Sequence, residues 1–157
     1  MIVRKAKQDE VNIIRKWIVS TARWLQSISI PQWERFLVYN MTEVCLEDYK
    51  NDKLYVFQYD NGPIVGSLSY GEAEVIDREL WDDYKSAVFV HRVVVNEEFR
   101  GFKNGEYMLS WAKDKAIEEH KELRLNCAEG NNNLYKYYKS LGFKYCGCKL
   151  GYHLFKT

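Results

Sequence analysis

Apolar residues recur along this chain at two different periods, and the switches between them mark out its elements. Ile2 to Ala6 (IVRKA) reads as a short strand. Val11, Ile14, Trp17, Ile18, Ala22 and Leu25 then return every three or four residues, which predicts a first helix from about Asp9 to Leu25. The stretch SISIPQW breaks it, because Pro31 restricts Ile30 to extended backbone. Asn40 and Glu43 stand at capping-box spacing and predict a second, shorter helix ending near Asn51. The β-rich runs Leu54 to Tyr59 and Ile64 to Tyr70 flank Asp60-Asn61-Gly62-Pro63, whose residues favour a turn, and together they predict a hairpin. Gly71 to Ala87 is polar and acidic and predicts a loop or a short helical excursion, whereas Val88 to Asn96 (VFVHRVVVN) carries the strongest strand signal.

Beyond a glycine-bearing turn, Tyr107, Met108, Trp111, Ala112, Lys115 and Ala116 describe an amphipathic helix running to about His120. A strand (LRLNCA), a helix (NNLYKYYKSLG) and two closing strands around FKYCGC and LGYHLF follow. The order is β-α-α-β-β-β-α-β-α-β-β, an α/β chain. No repeat, low-complexity stretch or linker interrupts it, so one domain is expected over residues 1–157.

Composition narrows the function classes. A net charge of +1 with no Lys/Arg block argues against a nucleic-acid partner. No apolar run approaches the length of a membrane span, and MIVRKAKQDE turns polar too early for a signal peptide, so a cytoplasmic protein is expected. Cys45, Cys127, Cys146 and Cys148 form neither a CxxC pair nor a zinc spacing, so no metal is expected. The CGC at 146–148 reads as buried or half-buried free thiols in a strand. Most of the aromatic residues, 15% of the chain, are assigned to core or cleft wall.

The turn NEEFRGFKNGEY lies between the strongest strand and a helix. A strand that re-enters a helix through such a turn aims free N–H groups and the positive end of the helix dipole at one point. That point suits a phosphate. Arg100 adds a positive charge and Gly105 a close backbone approach, but the P-loop spacing and its trailing Lys-Ser/Thr are missing.

The element order and three local patterns resemble the GCN5-related N-acetyltransferase superfamily over nearly the whole chain. VHRVVVNEEFRGFKNG is similar to its fourth strand and pyrophosphate loop, with Arg100 in the first position and Gly105 in the last. LRLNCAEGNNNLYKYYKSLGF resembles its fifth strand, the asparagine that follows and the Tyr-x-x-x-Gly-Phe stretch. GPIVGSLS lies where the family has a hairpin. The resemblance implies a mixed, mostly antiparallel sheet flanked by helices, with acetyl-CoA as cosubstrate. It places the coenzyme against Val93, Val95, Arg100, Gly101, Phe102, Lys103, Asn104, Gly105, Asn131 and Tyr138. Lys103 departs from the family's glycine, and a left-handed conformation there costs roughly 1–2 kcal/mol.

Transfer to an amine needs a proton acceptor, a polarised thioester and a proton donor for the thiolate. Tyr138 matches the family's general acid. His91 lies where some members relay the amine's proton, with a half-buried packing residue as the alternative. The acceptor cleft is expected between Trp24 and Trp33 on one side and Glu72 and Glu74 on the other, which suits a cationic small-molecule amine. The rival functions are a catalytically weak coenzyme A-binding sensor and an acetyltransferase of protein N-termini or lysines. A homodimer is compatible with all three.

Overall fold

Strand pairing sets the frame. The computed structural model describes residues Met1–Thr157, and seven strands form one sheet in the order β1-β2-β3-β4-β5-β7-β6. These are β1 (Ile2–Lys5), β2 (Leu54–Gln58), β3 (Ile64–Gly71), β4 (Ala87–Val95), β5 (Glu122–Ala128), β6 (Lys144–Lys149) and β7 (Tyr152–Lys156). Every neighbouring pair is antiparallel except β4 with β5. Five α-helices join them: α1 (Val11–Ser27), α2 (Met41–Lys50), α3 (Val75–Leu80), α4 (Asn104–Glu118) and α5 (Asn132–Ser140).

The apolar stripe of α1 is Val11, Ile14, Ile18, Ala22 and Leu25. Most of it packs with Met41 and Cys45 of α2 and Val56 and Val94 of the sheet, on one face. Met108, Leu109, Ala112 and Ala116 of α4 cover the opposite face with Tyr138 of α5, against Phe57, Val88, Val90 and Leu125. Removing each large apolar side chain from water contributes roughly 1.5–3 kcal/mol. The helices therefore hold the sheet from both sides, and its middle strands are the rigid base of the site.

The acidic stretch after β3 is partly helical. At the start of α3 Asp77 Oδ2 accepts the Glu74 N–H at 2.8 Å, one half of a capping box and an amide acceptor that the composition alone did not announce. The capping box expected from Asn40 and Glu43 does not form. Asn40 is the N-cap of α2 but its side chain makes no cap bond, because backbone carbonyls already take the nearby amides of Met41 and Glu43. Cys146 and Cys148 are exposed rather than buried or half-buried, since β6 is an edge strand paired only with β7, while Cys45 and Cys127 are buried.

One irregularity orients the chemistry. Ser67 pairs with Val94 and Ser69 with His91, so Leu68 faces two residues and β4 carries a bulge. Arg92 takes the left-handed φ of 51° there. Strand alternation reverses as a result. His91 and Arg92 both turn toward the side of α2 and α3, whereas Val93 and Val95 pack on the α4 side.

Candidate active site

β5 pairs with β4 only over Ala87–Phe89, and from Val90 onward the two strands part. Their divergence leaves one edge of β4 without a partner strand and opens a cleft of 710 Å³. Trp24 and Trp33 wall it on the α1 side, Val93 and Val95 line it from β4, and Asn126 and Tyr138 close it from β5 and α5. The end of β5 is sealed by the connector before α2. Gln32 Oε1 accepts the Ala128 N–H at 2.8 Å. A Cβ on Gly130 would come within 2.5 Å of Pro31.

At the foot of the cleft, the six successive backbone amides of Gly101 to Glu106 have no backbone or side-chain acceptor. They curl through Gly101 at φ 84° and Lys103 at φ 59° into the N-terminus of α4. Lys103 therefore does adopt the conformation that its side chain disfavours. This concentration of open donors at a helix start fits a diphosphate and is a sound physical match to coenzyme A. Gly105 lies close to the opposite wall, where an added Cβ would meet the Tyr137 hydroxyl at 3.3 Å. The side chains of the loop have other duties. Asn104 is buried and donates to the Phe99 carbonyl at 2.9 Å, bracing the turn. The Arg100 guanidinium donates to Thr21 Oγ1 at 2.8 Å and lies over the Trp24 ring. Phe102 is exposed, so its amide is its contribution to the cradle.

Around the bulge, Arg92 is held by two carboxylates. Its Nε and Nη2 donate to Asp48 at 2.8 Å each, and its Nη1 donates to Glu74 at 3.1 Å. Burial by itself raises both carboxyls. For Glu74 the charges of His91 and Arg92 outweigh burial and hold it at about 2, whereas at Asp48 burial wins and leaves it raised. His91 Nε2 meets Asp77 Oδ2 at 2.8 Å, and its ring stacks on Phe89. The ring lines the cleft, and Nδ1 has no partner in the protein. On the far wall, burial pushes the Tyr138 phenol well above its usual range, so it holds its proton at neutral pH. Its ring packs on Phe143 and Phe155.

Of the residues singled out in the sequence, Trp24, Trp33, His91, Val93, Val95, Gly105, Asn131 and Tyr138 line this one cleft. Asn131 is also the N-cap of α5, accepting from the Leu134 N–H at 3.0 Å. Glu72 and Glu74 line a neighbouring cavity of 960 Å³, which meets the cleft at Arg92, Arg35 and Phe36. The acidic segment is no free rim. Glu74 is taken by Arg92, Asp77 by His91, and Asp83 by Arg124. Sequence reasoning missed Arg92 with Asp48, because a bulge has no compositional signature, and missed Asp77 as a partner because 14 residues and a helix separate it from His91.

A sheet split between two parallel strands, with an open-amide loop at the foot of the split, defines an acyl-CoA-dependent acyltransferase. The profile of the Acetyltransferase (GNAT) family matches residues 18–143. The chain belongs to that family, and it is an acetyl-CoA-dependent acetyltransferase. It is similar to a GNAT-family acetyltransferase of Listeria monocytogenes, with 26% identity and a TM-score of 0.85 over 99% of this chain and 93% of that one. The ribosomal-protein-alanine N-acetyltransferase of Brucella melitensis shares the fold at 19% identity and a TM-score of 0.71, over 100% and 99% of the two chains. So does yncA, a putative acetyltransferase of Salmonella typhimurium solved with acetyl-CoA, at 18% identity and a TM-score of 0.70 over 100% and 92%. No curated protein matches the chain. No helix is long and apolar enough to cross a membrane.

Proposed function

We propose that the protein moves an acetyl group from acetyl-CoA directly to a primary amine of a small, positively charged molecule. The observation that carries this reading is that a histidine with a free ring nitrogen and a protonated phenol line the same cleft. Acetyl-CoA supplies the acyl thioester when bound. The open amides of Gly101 to Glu106 hold its diphosphate, and the unpaired edge of β4 beside Val93 and Val95 offers strand-like bonds to its amide-bearing arm. His91 Nδ1 takes the proton of the attacking amine, and Tyr138 donates to the departing sulfur.

The charge balance around the bulge supports a cationic acceptor. At the bulge the carboxylates of Asp48, Glu74 and Asp77 stand against Arg92, and on the facing wall Glu34 offsets Arg35, so acidic groups outnumber guanidinium groups beside the cleft. The tryptophan walls suit a small cation better than an extended peptide. The test is thiol release from acetyl-CoA with a polyamine, a neutral monoamine and an alanine-ended peptide as acceptors, the peptide being chosen because a structural neighbour is described as acting on a ribosomal protein's alanine. The polyamine should have the highest kcat/KM, and its KM should rise with salt. A faster peptide, or a neutral amine that does as well without salt dependence, refutes the acceptor assignment.

A further inference from the structure

We infer that Asp77, on α3, is the positioning residue for His91: it holds the imidazole with Nε2 protonated and Nδ1 bare toward the cleft, and it stabilises the imidazolium formed during transfer. This rests on the reading of His91 as proton acceptor.

The geometry is specific. Asp77 is fully buried, and its Oδ2 lies 2.8 Å from His91 Nε2 and 2.8 Å from the Glu74 N–H. A carboxylate can only accept, so Nε2 carries the hydrogen and the free lone pair belongs to Nδ1. The capping box ties the same carboxylate to the start of α3, and Phe89 stacks parallel to the imidazole, so both partners are fixed before any substrate arrives. Other charged groups near the ring are engaged elsewhere or stand across the cleft. Glu74 and Asp48 are bound to Arg92, while Glu34 and Arg35 line the facing wall.

Asp77 Oδ1 has no hydrogen-bond partner although it is buried. A buried carboxylate with an empty oxygen is a poor device for stability, since a neutral residue of the same shape would avoid the desolvation cost. It is a good device for a ring that must gain a proton, because the acid's charge is shared with only one other donor, the Glu74 N–H, and faces the place where positive charge develops. As the acceptor's nitrogen forms its bond to the acyl carbon, its proton passes to Nδ1. The carbon–sulfur bond breaks, the thiolate takes the Tyr138 proton, and the proton held by His91 returns through water to the Tyr138 oxygen, which restores both groups.

Nitrogen-15 NMR of the His91 ring tests the tautomer without reference to activity, and it needs only the wild-type protein. The ring should carry its hydrogen on Nε2. Asp77→Asn should lower kcat by about tenfold to 10³-fold while leaving the KM for acetyl-CoA within about twofold. It should also displace the acidic limb of kcat/KM, which a purely structural role would leave in place, because the substitution removes the one carboxylate bonded to the ring. A hydrogen found on Nδ1 overturns the proposal. So does a variant set in which His91→Gln cripples turnover but Asp77→Asn changes neither kcat nor the limb. If His91→Gln leaves turnover intact, the proton-acceptor reading fails instead, and the ring tautomer alone then upholds or refutes the hold of Asp77 on His91.

Discussion

In the proposed mechanism Tyr138 serves both core and chemistry. Its ring belongs to the cluster that joins α4 and α5 to the sheet, yet its hydroxyl has no protein partner and the residue lines the cleft. Tyr138→Phe keeps the packing and deletes only the proton donor. Turnover should fall by about 10²–10⁴ with melting temperature and acetyl-CoA affinity retained. An unchanged rate, measured by thiol release, would return Tyr138 to a packing role. Arg92 is the opposite case. Its left-handed backbone is tolerable because two carboxylates lock its guanidinium, and the bulge in which it sits puts His91 on the same side.

At the scale of elements, the loop between β4 and α4 works through backbone more than side chains. Asn104 braces it and Arg100 is tied to Thr21, so the donors left for a diphosphate are the amides of Gly101 to Glu106. Gly105 matters because the helix start passes close to Tyr137 and Val95. A valine there should raise the calorimetric Kd for acetyl-CoA by more than about tenfold, since its branches fill the gap between the helix start and β4 and intrude on the cradle. An unaltered Kd would mean that the diphosphate lies elsewhere.

The whole molecule should lose stability in acid for a definable reason. Glu10 is lowered mainly by its hydrogen bond to Arg4. At Glu74, Glu119 and Glu122 burial works upward, but their cationic and hydrogen-bonding partners outweigh it and all three lie below the ordinary glutamate value, Glu74 at about 2. Groups lowered on folding bind fewer protons in the native state, so their contribution is complete above the unfolded value and is lost as pH falls through the folded one. Asp48, raised by burial, opposes them over part of that range. Urea midpoints should therefore hold from neutral pH to about pH 5 and drop steadily toward about pH 3. A flat midpoint across that interval would show that these pairs contribute nothing net.

Periodicity alone was enough to place α1, the β2–β3 hairpin and β4, because a helix stripe such as Ile14-Ile18-Ala22 and a β-branched run such as Val93-Val94-Val95 leave local physics little choice. The turn of open amides before α4 was legible for the same reason: a strand, a glycine and a helix start within a few residues leave backbone N–H groups without acceptors. Tertiary structure decided the rest. Whether β4 and β5 stay paired or part after Phe89, which amide faces solvent, and which carboxylate meets which cation are outcomes of long-range packing. The acidic segment from Glu72 to Asp83 reads in sequence as one negative surface. In the fold it divides into a partner for His91, a partner for Arg92 and a partner for Arg124, because burying a charge forces it to find an opposite one, and the sequence does not say which will be near.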